Sequence, residues 1–161
     1  MAARREAWHF NCKNAPAEAI LKAAARPARS RRVLLIEDDR GSARGLRALL
    51  AARGYRVDVA GEAAAAHASA LRVSYDLVVA DCDLQGEDGT DVVRRIRAER
   101  PELPILVVTA RDRVGVLASV EGLAAEDCFE KPVRAEELLT AVERRLPLRP
   151  RPAPVSRAVP S

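Results

Sequence analysis

Four short stretches of this sequence carry side chains that could do chemistry together: Glu37-Asp38-Asp39, Asp81-Cys82-Asp83, Thr109, and Lys131 ahead of Pro132. Three or more carboxylates within a few ångströms cannot all stay ionised without a counter-charge. A hard divalent cation answers this with oxygen ligands, and Mg2+ suits a site that water and phosphate complete. Binding phosphate without a metal calls for a Gly- or Thr-rich loop after a first strand. The stretch here is EDDRGSARG (37–45), whose leading carboxylates repel a bare phosphate, and neither GxGxxG nor GxxxxGK[ST] occurs. Dinucleotide, flavin and P-loop readings are disfavoured on that ground.

Those residues share one position type. Each follows an apolar run: VLLIE (33–37), DLVVAD (76–81), PILVVTA (104–110) and DCFEKPV (127–133), with a fifth run, YRVDVA, at 55–60. The runs at 33, 76 and 104 are nearly continuous in Val, Ile and Leu, as in strands covered on both faces, whereas 55–60 alternates and belongs nearer an edge. Helix-like stretches fill the gaps. Leu46, Leu49, Leu50 and Arg53 keep a 3.6 spacing that Gly54 stops. Residues 62–72 are rich in alanine, with high propensity and little bulk. Val92, Val93 and Ile96 mark 90–99, Val116, Leu117 and Val120 mark 114–123, and Leu138, Leu139, Val142 and Leu146 form one stripe over 134–146. Strict alternation predicts an α/β fold, a doubly wound five-stranded parallel sheet with five helices. Ligands bind such sheets beyond the carboxyl ends of the strands, where the candidate residues sit.

The 161-residue chain predicts one domain at 31–147, with a disordered or misassigned N-terminal extension at 1–30 and a Pro/Arg-rich linker or tail at 148–161. Residues 1–32 carry a net charge of +6, residues 33–146 of −5 and residues 147–161 of +3, so the pI near 9.3 belongs to the tails. A nucleic-acid role is therefore not expected of the domain itself. No uncharged run reaches the length of a membrane span, and the first 30 residues lack the apolar core of a secretory signal. Three well-separated cysteines (Cys12, Cys82, Cys128) favour neither a disulfide framework nor a zinc site, which points to the cytoplasm.

The segments VLLIEDD (33–39), DLVVADCDLQGEDGTDVVRRIR (76–97), PILVVTAR (104–111) and EKPV (130–133), in this order and spacing, resemble the receiver domain of bacterial two-component response regulators, of the CheY-like superfamily. The resemblance covers about residues 31–147. It implies that Asp81 accepts a phosphoryl group from a sensor histidine kinase, a phosphotransfer protein or a small phosphodonor. It further implies that Glu37, Asp38, Asp81 and the backbone carbonyl of Asp83 hold Mg2+, with Asp39 outside the ligand set. Thr109 and Lys131 would hold the phosphoryl oxygens after transfer, and the Lys131–Pro132 bond is cis in the family. The implied protein is a signalling switch without an external substrate, acting through a protein partner or an output domain beyond this chain.

Three departures from the family pattern concern output. Cys128 stands where an aromatic residue is usual, with Phe129 beside it. Leu84-Gln85-Gly86 replaces a proline-containing turn, and Ala124 stands where glycine is common. Asp127 and Glu137 fit a charge-paired dimer face, but Ala141 replaces its usual arginine, so a monomer or a weak phosphorylation-dependent homodimer is expected. The competing enzyme reading is a haloacid-dehalogenase-like phosphatase using Asp81 and Asp83. That class places its DxD on the first strand, and here Glu37-Asp38 comes first. The other polar residues have plainer expectations: Gly86 and Gly89 as turn residues, Cys82 and Cys128 as small apolar groups, His67 as an exposed helix residue, and Arg94, Arg95, Arg97 and Arg100 as a solvated face.

Overall fold

The computed structural model describes residues 30–147, so the expectations for the N-terminal extension and the Pro/Arg tail lie almost entirely outside the described residues. Five strands, β1 (Arg32–Ile36), β2 (Arg56–Ala60), β3 (Leu77–Asp81), β4 (Ile105–Thr109) and β5 (Cys128–Glu130), alternate with five α-helices. The helices are α1 (Arg40–Ala52), α2 (Ala63–Arg72), α3 (Gly89–Glu99), α4 (Arg113–Ser119) and α5 (Ala135–Arg145), and a 3-10 turn at Ala125–Asp127 leads into β5. All pairings are parallel, in the order β2-β1-β3-β4-β5. β3 and β4 are buried at every residue, while β2 lies at an edge and exposes Arg56 and Val59, as its alternation predicts.

The two faces carry separate cores. Leu34, Ile36, Val78, Ala80 and Val107 meet α2, α3 and α4 through Ala66, Ala70, Val93, Ile96 and Val116. Val33, Leu35, Val79 and Leu106 meet α1 and α5 through Leu46, Leu50, Leu138 and Val142. The small Ala63, Ala66 and Ala70 let α2 approach closely; its alanines pack as well as propagate the helix.

Two elements are shorter than the sequence predicts. α4 ends at Ser119, with Val120 already extended but buried as its cap, and β5 is three residues long, followed by the cis Lys131–Pro132 bond. Three expectations need correction. Gly89 is the first residue of α3, where an added Cβ would lie 2.5 Å from Cys82 Cα and 2.7 Å from the Asp81 carbonyl oxygen. It is required for close approach; only Gly86, at φ +78°, fits the turn role. His67 is half-buried and meets Glu99 at 3.0 Å across the α2–α3 packing. Arg97 and Arg100 leave the solvated face by reaching the Gly122 and Ala70 carbonyls.

Candidate functional site

The strand order reverses between β1 and β3, and the β1–β3 register pairs Ile36 with Ala80. One residue further along each strand, Glu37 and Asp81 become neighbours at the switch point, where a doubly wound sheet binds its ligand. Glu37 stays tied to the sheet, its N–H donating to the Ala60 carbonyl at 3.0 Å. The chain then leaves the sheet at Asp38. Asp39 caps α1 by accepting from the Ser42 N–H at 2.7 Å, and its own N–H donates to Glu37 Oε1 at 3.0 Å. A helix cap and a ligand turn are thus built from the same three acids.

One carboxylate oxygen each from Glu37, Asp38 and Asp81 lies within 4.8 Å of the others. Glu37 and Asp81 are only 3% and 4% exposed, while Asp38 is half-buried and accepts from the Gln85 N–H at 2.8 Å. Burial, then the neighbouring Asp81 charge, pushes the Glu37 carboxyl up to about 7. Burial also raises the Asp81 carboxyl, against the opposing hydrogen bond from Lys131. The donor set is hard oxygen on three sides of a small space, with more negative charge than one ammonium balances. It fits a hard divalent cation such as Mg2+.

On the other side of Asp81 lie the donors. Lys131, with a side chain 8% exposed, donates from Nζ to Asp81 Oδ2 at 2.6 Å and stands 3.6 Å from Asp83 Oδ2. Its backbone N–H donates to the Thr109 carbonyl at 2.8 Å, which extends the β4–β5 ladder and fixes where the lysine departs. Thr109 is fully buried; its hydroxyl accepts from the Arg111 N–H at 2.9 Å and faces Asp83 Oδ1 at 3.4 Å. Asp81 Oδ1 accepts from the Asp83 N–H at 2.8 Å. All six sequence-predicted residues therefore meet at one edge of the sheet. Asp39, which caps α1, is not one of the three carboxylates that gather there.

The sequence assigns no role to two further residues of this edge. Arg111 reaches the Cys82 carbonyl at 3.0 Å and Asp88 Oδ1 at 2.8 Å, and lies 3.4 Å from Asp83 Oδ1. Asp88 caps α3 through the Thr90 N–H, and the Arg111 hydrogen bond holds its carboxyl well below the usual carboxylate range. The sequence does carry the Asp88 signal, an Asp opening a helical stretch. Nothing in it says that an arginine 23 positions later would find that cap. Cys82 and Cys128 are buried as expected, and burial pushes the Cys82 thiol up to about 12. Phe129 does not stand in for an aromatic at 128: it packs against the core under α1 and α5, whereas Cys128 faces α2–α4.

Comparison with known proteins settles the family. The family model for the response regulator receiver domain matches residues 33–143. The chain belongs to the response regulator receiver family. Response regulator MprA of Mycobacterium leprae is 36% identical over 115 residues, 71% of this chain and 50% of the relative. This receiver thus spans about half the length of the curated relatives it matches. Among solved structures, TrrA of Thermotoga maritima in complex with Mg2+ and BeF has a TM-score of 0.64 at 26% identity, covering 72% of this receiver and 99% of TrrA. The receiver domain of the Pseudomonas aeruginosa sensor histidine kinase PA1611, with magnesium in its active-site cleft, has a TM-score of 0.63 at 30% identity over 72% and 97% of the two chains. Its place in two-component signalling is that of a phosphoacceptor module, and nothing in these likenesses favours the phosphatase alternative. Among the described residues, no helix is long and apolar enough to cross a membrane.

Proposed function

We propose that Asp81 takes a phosphoryl group from the phosphohistidine of a sensor histidine kinase or phosphotransfer protein, at a site where Glu37, Asp38, Asp81 and the main-chain carbonyl of Asp83 hold Mg2+. The observation that carries this reading is the setting of Asp81: a buried carboxylate with Lys131 Nζ 2.6 Å from one oxygen and two further carboxylates within 4.8 Å. A carboxylate is a weak nucleophile, but phosphoryl transfer asks mainly for positioning and for neutral surroundings of the oxygens. Bound Mg2+ would supply positive charge to the phosphoryl oxygens. The O–P bond to Asp81 forms as the donor's P–N bond breaks, and the imidazole leaves with its electron pair. Lys131 then shifts from the Asp81 oxygen to a phosphoryl oxygen. The Thr109 hydroxyl turns from Asp83 toward the same group, which withdraws it from the Arg111 N–H and so alters the β4–α4 loop.

Intact-protein mass after incubation with acetyl phosphate tests the reading. One phosphoryl adduct is expected on the wild type with Mg2+, none in EDTA, and none on Asp81→Asn, which keeps shape and polarity. Equal labelling of Asp81→Asn and wild type would show the acceptor to be another residue.

The domain acts in the cytoplasm without touching nucleic acid, and it is a monomer that pairs at most weakly once phosphorylated. Asp127 supports the monomer: it is buried and spent within the chain on Arg145 Nε at 2.8 Å and on Arg144 at 3.4 Å, and Ala141 lies on the buried face of α5.

A further inference from the structure

We propose that the Asp83 carboxylate is a built-in stand-in for the phosphoryl group, filling the donor pocket beside Asp81 until phosphorylation displaces it. The proposal rests on the reading of Asp81 as the acceptor. Its basis is the set of groups around Asp83. One of its oxygens accepts from the Ala110 backbone N–H, the other faces the Thr109 hydroxyl at 3.4 Å, and Lys131 Nζ stands 3.6 Å away. These are a backbone amide, a buried hydroxyl and a buried ammonium, the donor types that hold anionic oxygens. Lys131 is shared, since the same Nζ donates to Asp81 Oδ2 at 2.6 Å. Any anion built onto Asp81 toward Lys131 therefore arrives where a carboxylate already sits, and two such charges a few ångströms apart disfavour each other.

The carboxylate has somewhere to go. Arg111 Nε lies 3.4 Å from Asp83 Oδ1 on the solvent side, and the rest of its guanidinium is anchored on Asp88 and on the Cys82 carbonyl. Moving toward Arg111, Asp83 keeps a cation and gives up Thr109, Ala110 and Lys131 to the incoming group. Asp83 thus sets how readily the acceptor fills, separately from its main-chain carbonyl, which any side-chain replacement retains.

Asp83→Asn and Asp83→Ala provide the test. In saturating Mg2+, beryllofluoride titrated calorimetrically should bind both variants at least about tenfold more tightly than wild type, as expected when a like charge leaves the pocket. Labelling at Asp81 by acetyl phosphate should quicken by a similar factor. In metal-free protein, the Ala110 amide proton should move upfield in the NMR spectrum of both variants, because its charged acceptor is gone. Unchanged or weaker beryllofluoride binding in both variants overturns the proposal, and so does an unmoved Ala110 amide. The two readings fail differently. A wild type labelled at Asp81 with variants no faster rejects the stand-in alone, whereas no Asp81 label in any of the three rejects the acceptor as well.

Discussion

Lys131 touches two acids at once, and that position decides what its loss should do. Its Nζ lies between Asp81 and Asp83, while Glu37 and Asp38 gather on the other side of Asp81. Removing the ammonium takes nothing from the oxygen donors that fit a cation. In Lys131→Ala, Mg2+ affinity measured by calorimetry should stay within about threefold of wild type, an energy difference under about 1 kcal/mol. What should disappear is the response: beryllofluoride should no longer change hydrogen exchange at Thr109–Arg111. A variant that loses Mg2+ binding would place the lysine in the metal's support instead. Glu37, Asp38, Asp81, Thr109 and Lys131 were legible in the sequence because each directly ends or follows an apolar strand. The contacts of the Asp83 side chain and the grip of Arg111 on Asp88 were not, because those partners lie 23 to 48 positions apart and depend on how the loops pack.

At the scale of elements, the junction of β3 with α3 carries the tightest constraint. Asp88 caps the helix, and Gly89 packs its bare Cα against the backbone of Asp81 and Cys82. The atoms that a methyl group would strike are all backbone, so no rotamer change relieves the contact. Gly89→Ala should therefore cost about 1–3 kcal/mol in urea denaturation. It should also weaken Mg2+ binding, because the strand end that moves is the one carrying Asp81. A neutral effect on both would mean that α3 can slide outward freely. The α/β alternation and the edge position of β2 were readable from periodicity, and this junction was not, since a glycine in a polar stretch looks like any turn. The same limit applies to β5. Its alternation puts Cys128 and Phe129 on opposite faces, so the aromatic ring cannot swing into the space beside Thr109. The Arg111 clasp joins the β4–α4 and β3–α3 loops beside Asp81.

Over the whole molecule, the site and the stability of the fold oppose each other. The segment 33–146 has a net charge of −5, and three of its carboxylates crowd one small volume at the switch point. Self-repulsion of this kind destabilises the compact state, and a cation that binds only the folded form reverses it. At a free Mg2+ concentration a hundred times its dissociation constant, the gain is about 2.7 kcal/mol, or roughly 10 °C in melting temperature for a domain of this size. Asp38→Asn separates the two effects. Its amide oxygen can still accept from the Gln85 N–H, so the loop contact at 2.8 Å survives while a charge is removed. The variant should melt higher than wild type in EDTA and lose most of the rise that Mg2+ gives. If Asp38→Asn instead melts lower in EDTA, the charged carboxylate holds the Gln85 N–H more strongly than an amide oxygen does, and by more than it strains the acidic group. The fold would then carry its metal site without a stability cost.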